Sequence, residues 1–340
     1  MTETTQVRLV RRPVGEPQDH DFELATTDLP PVGPGEVLLR TIYLSLDPYM
    51  RGRMSDAESY AAPVELGQVM VGATVCEVVE SSSDRRSPGD IVLAYTGWQS
   101  YAVADARTTR RLDPDGPPVS TALGVLGMPG FTAYAGLLEI GRPSPGETVV
   151  VAAATGPVGS AVGQIAKIKG ARAVGIAGGE EKVRALTEDF GFDAALDHRS
   201  PTFATDFREA TADGVDVYFE NVGGPVAREV LPRLNKFARV PVCGLVANYN
   251  SHGTPAGSDH LPGFMRQVLT KSLTVRGFIQ DEFTASHHAD FVREMGAWVS
   301  SGMVRYREDV VTGLERAPEA FRGLLTGRNF GKLIVEVGTL

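Results

Sequence analysis

The stretch VVVAAATGPVGSAVGQIAKIKGARAVGIAGGEEKVRAL, residues 149–186, decides how the chain folds. VVVAAA (149–154) carries no polar interruption, as expected of a strand buried on both faces of a parallel sheet. VGSAVGQIAKIKG (158–170) follows as a helix, with small residues on its packing side and Gly170 as its C-cap. ARAVGIA (171–177) is a second strand, and EEKVRALTEDFG (180–191) a second helix. Strands separated by helices in this way form parallel units with right-handed crossovers.

The alternation continues outward. DAALDH (193–198), VDVYFENVG (215–223) and FARVPVCG (237–244) read as strands, with FATDFREATA (203–212) and PVAREVLPRLN (225–235) as the helices between them. LTVRGFI (273–279) reads as a sixth strand. A long amphipathic helix is expected over 285–301, with Phe291, Met295, Trp298 and Val299 on its core face. Its adjacent His287 and His288 are expected to face solvent. Upstream the texture differs: EVLLRTIYLSL, TVCEVVES and DIVLAYTGWQSYAVA are short strand-like runs, punctuated by PPVGPGE, SSSDRRSPGD and DPDGPP. The tail ends in another strand, GKLIVEV, and reads as a return to the first region. The expected fold is α/β, a doubly wound parallel sheet of the Rossmann kind inserted into a β-rich domain. The β domain covers 1–125 with 310–340 returning to it, and the nucleotide domain covers 126–309.

The bulk numbers agree with a globular chain of two domains. The chain has 340 residues, too many for one ordinary core. A net charge of −9 argues against a general binder of nucleic acid or anionic membranes. No run reaches the roughly 18 apolar residues of a membrane span, and MTETTQVRLV lacks the pattern of a signal peptide. The two cysteines, Cys76 and Cys243, lie far apart in apolar runs and are expected to be buried free thiols. That suits a reducing, cytoplasmic setting.

Between the first strand and its helix stands ATGPVG (154–159). Ala154, Gly156 and Gly159 occupy the three positions of a dinucleotide fingerprint, with alanine replacing the first glycine. Gly156 lets backbone approach a pyrophosphate, Gly159 lets the helix pack closely, and Pro157 and Val158 open the helix, whose free N–H groups face an anion. An NAD site needs a carboxylate at the tip of the second strand. This tip is Gly178-Gly179, with Lys182 and Arg184 close by, which suits a 2′-phosphate and predicts NADP(H). A solvated helix lysine is the plainer reading of Lys182.

No zinc site is expected. Two distant cysteines cannot build a four-cysteine lobe, and ELGQVMVGATV (65–75) offers Gln68 and Val69 where a Gly-His-Glu ligand motif would stand. Without a Lewis acid to polarise an alcohol or ketone, a conjugated double bond is the easier hydride acceptor.

YLSLDPYMRGRM (43–54), GMPGFTAYAGLLEIG (127–141), AATGPVGSAVGQIAKIKG (153–170), DVYFENVGG (216–224), VCGLVANYN (242–250) and GRNFGKLIVEV (327–337) stand in order along nearly the whole chain. In these stretches the chain resembles the zinc-independent branch of the medium-chain dehydrogenase/reductase superfamily, in its leukotriene B4 12-hydroxydehydrogenase/prostaglandin reductase group, with alkenal double-bond reductases and curcumin-type reductases. The resemblance implies a GroES-like fold for the β domain and NADPH-dependent reduction of the carbon–carbon double bond of α,β-unsaturated aldehydes or ketones, without metal. It places Lys182 on the 2′-phosphate, Tyr249 near the nicotinamide ribose as candidate proton donor, Asn221 and Asn329 close to the cofactor, and Tyr49 in the substrate pocket. Gly178, Cys243 and Phe278 join the cofactor candidates, and Met128 the pocket. His198 stands where many relatives have tyrosine, so its contact with the phosphate is an open candidate, as is any charge from Arg199.

Each residue has a plainer alternative: Tyr49 as a brace, Tyr249 as loop packing, Asn221 as a turn residue. Arg51 and Arg53 read equally as surface charges or as part of the cleft. The loops 54–63 and 250–263 are irregular. A phenol, with an ordinary pKa of about 10, is an acid rather than a base at neutral pH. Quinone reduction on the same fold and a non-catalytic NADPH-binding protein remain the alternatives. The expected partner is a small enone or alkenal, with no nucleic acid and no membrane, and the resemblance implies a homodimer formed along the edge strand 273–279.

Overall fold

The computed structural model describes residues 2–251 and 260–339. It divides into two compact units, one of residues 1–124 and 308–340, the other of residues 125–307.

The second unit is built on six parallel strands: β1 (Thr148–Ala152), β2 (Arg172–Ala177), β3 (Ala194–Asp197), β4 (Val215–Phe219), β5 (Leu234–Val242) and β6 (Thr274–Gly277). Their order is β3-β2-β1-β4-β5-β6. The order reverses between β1 and β4, and open parallel sheets bind ligands beyond the strand C-termini at such a point. The central strand β1 is buried along its whole length, with Val149, Val150, Val151 and Ala152 all inaccessible. Helices α1 (Pro157–Ile168), α2 (Glu180–Glu188), α3 (Phe203–Ala210) and α4 (Gly224–Val230) make the crossovers. Helix α1 ends beside Gly170, which takes a left-handed φ of 80°.

The first unit has the strand Glu36–Ser45 at its centre. That strand pairs antiparallel with Thr74–Ser81, Tyr101–Asp105 and Lys332–Glu336. Glu308–Thr312 adds to Lys332–Glu336 in parallel. Thus the chain's last strand lies in the same sheet as its third. The helix Ala317–Leu325 packs Ala317 and Phe321 into a core with Trp98 and Met50, and the Trp98 ring meets Phe321 edge-on.

Several readings are corrected. His287 and His288 are half-buried rather than solvent-facing. The His287 ring bridges Ser286 (2.6 Å) and Glu139 (2.7 Å), and His288 packs edge-on against Phe131. Arg51 is no surface charge: it is buried and donates to the carbonyl of Gly15 at 2.8 Å. Cys76 is buried, whereas Cys243 is only half-buried. A helix, Met128–Ala135, occupies a segment without helical periodicity because Pro129 to Ala135 are buried on every side. The long helix runs Thr284–Ser300, one residue earlier at each end. Loop 54–63 is irregular, as its composition suggests. Of the loop 250–263, residues 252–259 lie outside the described residues, and from Leu261 the chain is already helix α5 (Leu261–Lys271).

Candidate active site

The turn after β1 is shaped by close backbone approach. Ala153 takes a left-handed φ of 51°, unusual for a residue with a side chain. The Ala154 N–H then donates to Ile176 O at 3.0 Å, stitching the turn to β2, and the Gly156 N–H donates to Ala153 O at 3.0 Å. Gly156 is the N-cap of α1 and Pro157 its first residue, which spends no N–H. The N–H groups of the following residues have no acceptor within the helix and point out of its N-terminus. A Cβ on Gly159 would stand 2.4 Å from Ala153 O and 2.7 Å from Ala154 Cα. Only glycine lets the helix sit this close. A Cβ on Gly156 would meet nothing nearer than 3.3 Å, so that position is free of protein on its outer side.

At the tip of β2 three basic side chains gather. A Cβ on Gly178 would lie 2.8 Å from both His198 Nε2 and Arg199 Nε, so both side chains lie over the bare glycine backbone. Gly179, with φ of 99°, begins α2, which carries half-buried Lys182. His198 is exposed as a residue. Even so, the surrounding protein, then Arg199 and, more weakly, Lys182, hold its pKa below the ordinary value against an opposing pull from Asp197. For Asp197, desolvation works upward, but backbone N–H groups of Gly179 and Arg199 and the two neighbouring cations bring its pKa below the usual range. The Arg199 N–H donates to Asp197 Oδ1 at 2.9 Å. Lys182, Arg199 and the His198 ring supply the donors of this tip, and its one carboxylate, Asp197, is taken up by the N–H groups of Gly179 and Arg199; such a donor set matches a dianionic phosphate rather than two ribose hydroxyls. Together with the turn after β1, it fits a dinucleotide bearing a 2′-phosphate. Arg199 belongs to the group although its sequence position, just beyond β3, gave only a weak hint.

The ends of β4 and β5 bring Asn221, Cys243 and Tyr249 together. Asn221 Nδ2 donates to Ala152 O at 2.9 Å, pinning the end of β4 to the end of β1. The Tyr249 hydroxyl lies over Gly244, 3.1 Å from where a Cβ there would stand. Burial, then the negative charge of Glu220, pushes the Cys243 thiol up to about 12, so it is neither nucleophile nor ready metal ligand at neutral pH. Phe278 reaches this strand end through its backbone, its N–H donating to Val242 O at 3.3 Å. It is buried against Phe219 and Phe283, with its ring filling the space that a Cβ on Gly136 would need. Met128 is half-buried at the start of its helix, its carbonyl accepting from Thr132 Oγ1 at 2.8 Å.

Tyr49 and Asn329 belong to the first unit, where a buried ion pair joins their loops. Lys332 Nζ donates to Asp47 Oδ1 and to Leu46 O, each at 2.8 Å, and Ser45 Oγ donates to the other oxygen of Asp47. Tyr49 follows Asp47 by two residues and Asn329 precedes Lys332 by three. Burial, then the charge of Asp47 and the nearby phenols of Tyr95 and Tyr60, raise the Tyr49 pKa. Asn329 Nδ2 donates to Gly331 O at 2.8 Å. Among the described residues no group of three or more His, Cys, Asp or Glu side chains is placed to hold a metal.

Comparison with known proteins covers both units. A family described as the N-terminal domain of oxidoreductase matches residues 5–112, and one described as zinc-binding dehydrogenase matches residues 157–301. An NADPH-dependent curcumin reductase of Escherichia coli is 53% identical over 97% of this chain and 95% of its own length. Prostaglandin reductase 1 of Oryctolagus cuniculus is 42% identical over 94% of this chain and 89% of its own. The crystal structure of CurA from Vibrio vulnificus in complex with NADPH superposes with a TM-score of 0.96 at 50% identity, covering 99% of this chain and all of that one.

Proposed function

The chain belongs to the zinc-independent branch of the medium-chain dehydrogenase/reductase superfamily, in its prostaglandin reductase and curcumin reductase group, and we propose on that premise that it reduces the carbon–carbon double bond of α,β-unsaturated aldehydes and ketones with NADPH. The observation that carries the reading is the joint presence of whole-length likeness to such reductases and a cationic β2 tip suited to NADPH.

Bound NADPH supplies the hydride. The protein's part is to bind, orient and protonate. In our reading the α1 N-terminus, with Ala154, Gly156, Pro157, Val158 and Gly159, cradles the pyrophosphate. Gly178, Lys182, His198 and Arg199 hold the 2′-phosphate by charge-assisted hydrogen bonds. Asn221, with the backbone at Cys243 and Phe278, lines the sheet end. Tyr249 donates the proton that completes reduction at the substrate α-carbon. Tyr49, Met128 and Asn329 serve the substrate and the reacting end of the cofactor. The first unit supplies the GroES-like substrate domain and the second the NADP-binding domain.

We also propose a homodimer. The edge strand β6 is exposed at every residue, and α5 beside it buries none. Leu261, Met265, Leu269 and Val275 are exposed there, a combination of open strand edge and apolar surface that favours a partner. The two free thiols suit a reducing, cytoplasmic setting. No described helix is long and apolar enough to cross a membrane.

The experiment is NADPH oxidation against alkenals, cyclic and aryl enones and quinones, with NADH as control and product analysis. Saturated aldehyde or ketone product from NADPH is the expected result. Turnover of quinones alone, or of no acceptor, overturns the proposal.

A further inference from the structure

One buried residue that the reaction as described does not use holds both turns at the ends of β4 and β5. Glu220 is 5% exposed. Its Oε1 accepts from the N–H groups of Val222 (2.7 Å) and Gly223 (2.8 Å), and its Oε2 from the hydroxyl of Tyr218 (2.9 Å). Tyr218 is itself wholly inaccessible. The main chain of Glu220 acts on the other turn: its N–H donates to Pro241 O (3.0 Å), and its carbonyl accepts from Cys243 (2.9 Å) and Gly244 (3.2 Å). The two turns are laced to each other by Val246 N–H to Asn221 O (3.2 Å) and Ala247 N–H to Val222 O (3.0 Å). Asn221 and Tyr249 are carried on this assembly.

Burying a carboxylate is costly unless donors replace water. Here burial raises its pKa, and the N–H groups of Gly223 and Val222 and the Tyr218 hydroxyl draw it back. Two of those donors belong to the turn that bears Asn221. The geometry of the carboxylate, at one side-chain length and no other, sets where that turn stands.

We propose that Glu220 is a positioning residue for enone reduction: it fixes the 221–223 turn against the 243–249 turn and so aligns Asn221 and the Tyr249 phenol. This rests on the function proposed above. The role is geometric rather than electrostatic. A glutamine of equal length still presents an oxygen to both N–H groups and an amide to the Tyr218 oxygen. Aspartate keeps the charge but draws back by one methylene, beyond reach of all three donors at once.

The test compares Glu220→Gln, Glu220→Asp and Glu220→Ala in the full chain, reading kcat and KM for an enone, NADPH affinity by fluorescence titration and the melting temperature. A displacement of about 1 Å costs up to about 100-fold in rate. Glu220→Gln is therefore expected to keep kcat within about threefold, and Glu220→Asp to lose roughly 10-fold or more in kcat with little change in KM. An aspartate variant more active than the glutamine variant overturns the proposal, as does a rate loss that simply follows the melting temperature across the series. If Glu220→Ala does not fold, the Gln and Asp pair decides alone. A wild-type protein inactive with every enone overturns the function and this inference together. An active wild type with an unimpaired aspartate variant overturns the inference only.

Discussion

Replacing Lys332 by methionine tests how the first unit holds the loops of Tyr49 and Asn329 in register. The lysine stem lies along Gly124, where a Cβ would be 3.4 Å from its Cγ, and methionine fills most of that volume. What disappears is the ammonium. Asp47 is then left buried with the Ser45 hydroxyl on one of its oxygens, and Leu46 O loses its 2.8 Å bond. The paired side chains are only 3% and 6% exposed, so water cannot take over. Removing one partner of such a pair costs about 3–5 kcal/mol. At about 2–4 °C per kcal/mol, the melting temperature should fall by roughly 6–20 °C. Differential scanning calorimetry of the full chain reads this, together with fluorescence from Trp98, which lies in the core of the same unit. The double variant Asp47→Asn/Lys332→Met should cost less than the sum of its parts, by about 1–3 kcal/mol. A single-variant cost below about 1 kcal/mol would refute the reasoning, because the pair would then be behaving as a surface contact.

Three further outcomes follow from the second unit. Arg199→Ala and Lys182→Ala should each weaken NADPH about 5- to 50-fold in calorimetric titration, the range of a charge-assisted bond discounted for exposure, and leave NADH unchanged; equal losses for both cofactors would remove the 2′-phosphate assignment. His198, whose pKa is held down by burial and by Arg199 and Lys182, should be raised by a phosphate set against it, so binding takes up a proton. The extra NADPH affinity is then present at pH below the free-protein pKa and lost as pH rises through that of the complex; His198→Gln should flatten this difference, and superimposable wild-type and variant pH profiles would sink the idea. Gly159→Ala puts a methyl against the backbone of Ala153 and Ala154 and should cost about 1–3 kcal/mol of stability along with NADPH binding, whereas Gly156→Ala should leave the melting temperature almost unchanged and weaken the cofactor; equal stability loss from both would contradict the packing described.

The alternation of β1 to β6 with their helices was legible because neighbouring residues set it: buried parallel strands are apolar without interruption, and a glycine must stand where backbone approaches backbone, as at Gly159. The same logic failed for Met128–Ala135, which is buried all round and so lacks the one-sided burial behind helical periodicity; α5 has such a face, with Phe264, Gln267, Val268 and Lys271 half-buried, but it opens inside the irregular text of 250–263. The His287–His288 pair was misread for a related reason. Its partner Glu139 lies 148 positions away, and nothing local announces it.

By itself, the sequence determined the alternation of β1 to β5 with the helices between them, the glycine turn after β1, and the glycine pair at the tip of β2, since each depends on residues within one turn, strand or helix. Only the tertiary structure decided which distant groups meet: Arg199 and His198 over Gly178, Glu220 beneath the turns that carry Asn221 and Tyr249, and Lys332 against Asp47 across 285 positions. Local pattern reports which face of an element is apolar. It carries no register for a buried charge, whose position is fixed by whichever partner the finished packing brings within hydrogen-bond reach.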